Sequence, residues 1–230
     1  MKAIKNGILI ILVFIIKQDL KAQGFANLDF EQSTIVSSSP SGGGYNSGTA
    51  DVPGWTEYNG WGDANYSGGA TLIYNNQPLD EPGVALEGTD FPIPAIQGQY
   101  SVLLLGGDIL GGTQGAAIGQ TGTIPLTAQS MTFWWGTGLN NYSLQITFGG
   151  NLLSFSPISS TANYVIYGAD ISGYAGQTGE LLFTEGPSAG EGVIDNIQFS
   201  STTVPEPSEF ALGALGTLLL GFRRWQKTLQ

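Results

Sequence analysis

The chain contains no histidine and no cysteine among its 230 residues. That removes Ser-His-Asp and Cys-His catalysis, zinc sites built on imidazole or thiolate, and every disulfide. Lysine and arginine number seven and are confined to the ends: Lys2, Lys5, Lys17 and Lys21 at the front, Arg223, Arg224 and Lys227 at the back. Residues 23–203 hold none, so that stretch has no Schiff-base lysine and no internal salt bridge. Of the 18 acidic residues, Asp19, Glu206 and Glu209 lie in the ends, leaving 15 in the middle and a formal charge of −15 there. Nucleic acid, anionic membrane surfaces and phosphorylated substrates are disfavoured, because their recognition depends on Lys and Arg neutralising phosphates. The same charge favours solubility and attracts cations such as Ca²⁺, which takes oxygen ligands. The common catalytic device left is a pair of carboxylates.

The basic ends flank apolar runs. Lys2 and Lys5 precede residues 7–16, an apolar run too short to span a bilayer, and Ala22 follows a short polar stretch. These are the three parts of a secretory signal, with cleavage expected after Ala22; an uncleaved N-terminal anchor is the alternative. At the other end Val204, Pro205, Glu206, Pro207 and Ser208 precede an apolar run over residues 210–222, closed by Arg223 and Arg224. Thirteen residues at about 1.5 Å rise reach roughly 20 Å, against a hydrocarbon core of about 30 Å. Paired arginines after such a run favour the cytoplasmic side, which leaves the preceding chain outside. Residues 204–227 resemble the PEP-CTERM sorting segment of Gram-negative bacterial surface proteins. That resemblance implies transient membrane insertion, release near Pro205 by a sorting protease of the exosortase type, and a cell-surface, outer-envelope or matrix location. The expected division is a signal at 1–22, an exported domain at 23–203 and a sorting segment at 204–230, with a helix at each end.

The middle reads as all-β. Short apolar or alternating segments are separated by Gly, Pro, Asn and Ser clusters, without sustained 3.6-residue periodicity. Strands are predicted over 26–31, 55–58, 70–74, 99–105, 116–123, 130–135, 142–148, 152–155, 164–170, 180–184 and 193–199. That number suits a two-sheet β-sandwich. In 142–148, Leu144, Ile146 and Phe148 share a buried face and Ser143, Gln145 and Thr147 face water. Residues 37–49 read as loop, and the glycine-rich 106–122 as a flexible connection without the Lys and Ser/Thr of a phosphate-binding loop.

Four short motifs carry a second resemblance: residues 27–31 (NLDFE), 52–56 (VPGWT), 98–102 (GQYSV) and 193–197 (VIDNI). Together they resemble jelly-roll carbohydrate-binding modules. The resemblance implies neighbouring first and last strands, each contributing a carboxylate to a structural Ca²⁺. Glu31 and Asp195, with Asp29, are the ligands so implied. The residues allow a reading of their own. Val193, Asp195, Ile197 and Phe199 would share one strand face, so Asp195 needs a partner that no cation in this stretch supplies. A metal, backbone N–H groups or protonation remain open, as does an Asx-type cap beside a bulge with Glu31 solvated.

Aromatics concentrate between residues 55 and 74. Tyr58, Trp61, Asp63, Asn65 and Tyr66 are the candidate carbohydrate-binding set, because aromatic faces stack on the C–H side of a pyranose while amides and carboxylates bond its hydroxyls. Packing within the fold is the other reading of the same residues. Trp55 is expected in the core, and at least one of Trp134 and Trp135 must point inward. Three functions follow: a non-catalytic surface or matrix protein cohering with extracellular polysaccharide, a small glycan hydrolase using two of Glu57, Asp63 and Glu87, or a ligand-free envelope protein.

Overall fold

The structure, a computed structural model, describes residues 24–35, 45–47, 51–59, 72–75, 83–89, 95–109, 112–136, 144–186 and 190–204. The strands are β1 (Tyr45–Ser47), β2 (Thr56–Asn59), β3 (Leu72–Asn75), β4 (Gly83–Glu87), β5 (Ser101–Leu105), β6 (Gly107–Ile109), β7 (Gly112–Gln114), β8 (Ala116–Thr123), β9 (Ser130–Gly136), β10 (Gln145–Phe148), β11 (Asn151–Leu152), β12 (Phe155–Ser160), β13 (Tyr164–Asp170), β14 (Thr178–Glu185) and β15 (Glu191–Ser200). Eight form one sheet in the order β1-β3-β4-β5-β15-β9-β13-β12 and five form a second, β11-β10-β14-β8-β2; β6 and β7 make a separate hairpin. Pairing is antiparallel throughout except between β3 and β4. The predicted two-sheet sandwich is therefore the architecture of the described residues. Their one helical element is a single 3-10 turn at Ser172–Tyr174. No helix among them is long and apolar enough to cross a membrane; the terminal helices and the cleavage site expected from sequence lie outside the described residues.

The core forms where alternating strand faces meet. Val84 and Leu86, Val102 and Leu104, Met131, Phe133 and Trp135 from the larger sheet face Ile118, Ile146, Phe148, Leu181 and Phe183 from the smaller. Phe133 is edge-on to Phe155 and Phe183 and stacks on Tyr167. Trp55 is buried as expected, and its indole N–H donates to the Asn27 carbonyl at 2.9 Å, so burial leaves no orphan donor. Each such side chain contributes roughly 1.5–3 kcal/mol on burial. Ile146 and Phe148 are buried and Leu144 packs against them, as the alternation predicts.

The structure corrects five expectations. Residues 26–31 form turns, not a strand: Asn27 and Phe30 have φ of 51° and 56°, and the Asn27 carboxamide accepts from the Gln32 N–H at 2.8 Å and donates to the Ser33 hydroxyl. These local bonds replace a strand ladder. The neighbours of β15 are consequently β5 and β9, and residues 24–35 meet it through a backbone bond, Ile197 N–H to the Leu28 carbonyl at 2.9 Å, and through the Phe25 ring against Phe199. Residues 45–47 lie in the stretch read as loop but pair with β3. The fully buried β4, flanked on both sides in its sheet, has no predicted counterpart. Finally, 106–122 is not a flexible connection, since it contains the β6–β7 hairpin and most of β8, which sits between β14 and β2. Gly122 there leaves room for the Phe25 ring, 2.6 Å from where a Cβ would stand.

Candidate functional site

Short connections at 124–129 and 171–177 join the two sheets at one end. The opposite end therefore gathers Asn59, Leu72, Leu105, Ala116, Gly136, Tyr164, Glu185 and Glu191 as strand termini. β2 thus stops and β3 starts at this end. Trp61, Asp63, Asn65 and Tyr66 lie outside the described residues, and Tyr58 is the member of the candidate set that the structure describes. Its ring projects from the outer face of the smaller sheet, and its hydroxyl donates to Glu180 Oε1 at 2.7 Å. The bond crosses β8 because Gly119 stands between: Tyr58 is opposite Ala117, Glu180 is opposite Thr121, and a Cβ on Gly119 would lie 2.8 Å from Glu180 Oε1. Burial first, then the bond to Glu180, pushes the Tyr58 phenol up to about 12.

Two of the three implied metal ligands converge on the segment leading into β5. Glu31 accepts from the Gln99 N–H at 2.9 and 3.1 Å and from the Tyr100 N–H at 3.2 Å. Asp195 is fully buried and accepts from the Gln97 N–H and the Ser101 hydroxyl, both at 3.0 Å, and from its own neighbour's Asn196 N–H at 2.6 Å. Burial raises the Asp195 carboxyl to about 7 against these bonds, and the charge of Glu31 adds to the rise. Asp29 does not join them, being exposed with Oδ1 toward the Glu31 N–H at 3.4 Å.

The face assignment of Asp195 also needs correction. Register shifts between Asp195 and Gln198, with Asn196 at φ 48°, so β15 carries a bulge. Asp195 shares the outer face with Val193, whereas Ile197 and Phe199 turn into the core. The open alternative of an Asx-type residue beside a bulge thus fits Asp195; a solvated Glu31 does not.

Of the carboxylates considered for hydrolysis, the two described, Glu57 and Glu87, are not a pair. Glu57 shares the inward face of β2 with Trp55, whereas Glu87 lies on the outer face of β4, opposite to Val84 and Leu86. Burial, with Asp51 adding like charge, raises Glu57 to about 7. Glu87 stands opposite Ser101, whose hydroxyl bonds Asp195, is fully buried, and has no hydrogen-bond partner for either oxygen among the described residues. Burial, with Glu191 and Asp195 nearby, raises it to about 8. Asp63 lies outside the described residues. Among those residues no group of three or more carboxylates is arranged to hold a metal.

Sequence reasoning sent one of the two adjacent tryptophans inward without saying which. Trp135 is the inward one. Trp134 faces out, half-buried, and stacks on Tyr164 with ring centroids 4.3 Å apart and planes 4° apart. The alternation of β9 around Phe133, an unambiguous core residue, is the signal that could have assigned them. Of the sorting motif, Val204 is described and packs over Gly168 on the outer face of the larger sheet. Pro205, Glu206, Pro207, Ser208, Arg223 and Arg224 lie outside the described residues.

No protein-family model and no curated protein matches the chain. Among solved structures it is similar to TmCBM61 in complex with beta-1,4-galactotriose, at 14% identity and a TM-score of 0.41, covering 80% of this chain and 99% of that one. It is also similar to the enzymatically active domain of tailspike protein 4 of bacteriophage CBA120, at 14% identity and a TM-score of 0.39, covering 78% of this chain and 21% of that one.

Proposed function

We propose that the chain is an exported surface or matrix protein whose β-sandwich binds extracellular polysaccharide without hydrolysing it. The observation that carries this reading is that Asn59, where β2 stops, and Leu72, where β3 starts, lie at the same end of the sandwich, next to a Tyr58 whose hydroxyl is fixed on Glu180. Trp55 serves the core from the opposite end of β2, so the packing role of this aromatic group is met by Trp55, and in this reading Trp61 and Tyr66 serve the ligand. Non-catalytic binding is favoured over hydrolysis because Glu57 and Glu87 face different layers. Export rests on the two cation-flanked apolar ends, and release by an exosortase-type protease on the segment beginning at Val204. The crossing from sheet to sheet between β8, β9 and β10, and again from β13 to β14 to β15, supports a jelly-roll winding.

A structural Ca²⁺ belongs to the same reading. Glu31 and Asp195 fit it as oxygen donors: Glu31 is close enough for its charge to raise the proton affinity of Asp195, in a stretch without any Lys, Arg or His. Bound there, the ion would neutralise their mutual repulsion and tie residues 24–35 to β15.

The test is glycan pull-down set against turnover of the same polysaccharide. Retention without released sugar is expected; turnover would make it a hydrolase, and neither would make it a ligand-free envelope protein. Intact mass of the protein recovered from fractionated host cells tests export, with a C-terminus near Pro205 expected and retention of Arg223 and Arg224 contradicting release.

A further inference from the structure

We propose that the stacked rings of Trp134 and Tyr164 form a second polysaccharide-binding platform, on the outer face of the larger sheet and separate from segment 58–66. Its ligand class is a neutral, pyranose-based chain. The proposal deepens the glycan-binding reading above and rests on it.

On β9 the side chains of Met131, Phe133 and Trp135 enter the core, while Thr132 and Trp134 stand on the opposite face. Trp134 has Ile166 beside it on β13, and Tyr164 is two residues along that strand, on the same face. The parallel stack covers one face of each ring and leaves the other face of each uncovered by its partner, with both residues half-buried and outside the core cluster. Two rings fixed by each other lose little further freedom when a sugar ring stacks on them. Polar groups surround them: Thr132 and the exposed Gln198 in the next row, Ser159 opposite Ile166, and the exposed Asn163 next to Tyr164. These supply the hydroxyls and amides that sugar hydroxyls require.

Charge selects among ligands with π-stacking or apolar faces. Residues 23–203 carry 15 carboxylates and no cation, so a nucleobase on a phosphate backbone or a uronic-acid polymer would meet repulsion with no Lys or Arg to offset it. A neutral sugar meets none. The neighbouring Asp195 is buried beneath the Gln97 segment and is not presented to a ligand. Position gives the platform its use. Three strands, β4, β5 and β15, separate β3, where segment 60–71 rejoins the sheet, from β9. Four strand spacings of about 4.8 Å put β3 and β9 roughly 19 Å apart. Two contacts on one rigid body retain a polymer more strongly than either alone, and they let one molecule bridge two chains.

The experiment is affinity electrophoresis of the full chain in gels containing neutral polysaccharides (hydroxyethylcellulose, galactomannan, xylan), with melting temperature and sedimentation measured alongside. Trp134→Ala and Tyr164→Ala should each weaken retardation about five- to tenfold, the scale of one aromatic contact. Trp134→Phe should restore part of it. Trp61→Ala combined with Trp134→Ala should lose more than either single change. If wild type is retarded and every variant at Trp134 and Tyr164 matches it with an unchanged melting point, the platform is wrong while the glycan-binding reading stands. If wild type is retarded by no polysaccharide, both fall. Changed self-association at unchanged retardation would make the face a contact between copies and overturn the proposal. Should Trp134→Ala fail to fold, Trp134→Phe decides through its tryptophan emission, because an unaltered emission change on adding polysaccharide contradicts stacking at Trp134.

Discussion

Gly98 and Glu31 occupy complementary volumes: Gly98 has φ of +65°, and a Cβ there would fall within the Glu31 carboxylate. Glycine at 98 is thus required twice, by backbone conformation and by the approach of the carboxylate that receives the Gln99 and Tyr100 N–H groups. Gly98→Ala should destabilise the fold by roughly 2–4 kcal/mol, combining left-handed strain with disrupted bonds to a charged acceptor. Urea unfolding checks this; a loss below about 0.5 kcal/mol would mean that Glu31 does not hold the segment.

The bond from Tyr58 to Glu180 passes over Gly119. Tyr58→Phe should cost about 0.5–1.5 kcal/mol, the net worth of one hydrogen bond at a partly exposed site. Gly119→Val should break the same contact by filling the gap beside Glu180 and Leu182. Ultraviolet titration of the wild type and Tyr58→Phe gives a second readout, because a phenol titrating at about 12 should disappear in the variant.

Glu87, Asp195 and Glu57 are acids raised by burial to about 8, 7 and 7. Between about pH 4.5 and 8 the folded chain holds protons that the unfolded chain has released. Stability is therefore greatest near the low end of this window and falls as pH rises through it, by about 1.4 kcal/mol per pH unit for each fully effective acid. Glu87→Gln keeps the shape and cannot ionise, so it should raise the melting point at pH 8, change it little at pH 4.5 and flatten the slope between. A wild-type melting point that climbs from pH 5 to 8 in the absence of divalent ions would contradict buried neutral acids.

Calcium reverses that slope for its own ligands, because the metal takes ionised carboxylates. After chelation, added Ca²⁺ at pH 7.5 should raise the melting point of wild type and leave Glu31→Gln and Asp195→Asn unmoved. No response in wild type would remove the ion, leaving the Gln97–Asp195 and Gln99–Glu31 bonds as the whole of that site.

Much of the sandwich was legible because its signals are local. Alternation and turn residues mark strands β8, β9, β10, β13, β14 and β15 in the sequence, with both bounds of β8 and β13 as the structure has them. Residues 26–31 misled because NLDFE alternates like a strand, while the bonds that turn it lie in Asn27, Ser33 and the distant Trp55 indole. Asp195 was assigned the wrong companions because one bulged residue, Asn196, inverts every face after it and leaves no mark in hydrophobic period. The need of Asp195 for a partner is legible from its chemistry, a carboxylate among apolar neighbours with no cation to pair with, whereas Glu31 is pointed to by the family resemblance. The Trp134–Tyr164 stack was missed because it depends on β13 lying next to β9, a pairing that composition does not reveal.

The central claim is that the acidic sandwich displays aromatic side chains for neutral polysaccharide at the end where β2 stops. Its most direct test is the retardation of wild type and Trp61→Ala by soluble neutral polysaccharides, measured with the melting point of each. Wild type should be retained by at least one polymer, and Trp61→Ala should lose several-fold in retention with its melting point unchanged. Equal retention of both, or a parallel loss of retention and stability, would assign Trp61 to the fold and contradict the claim.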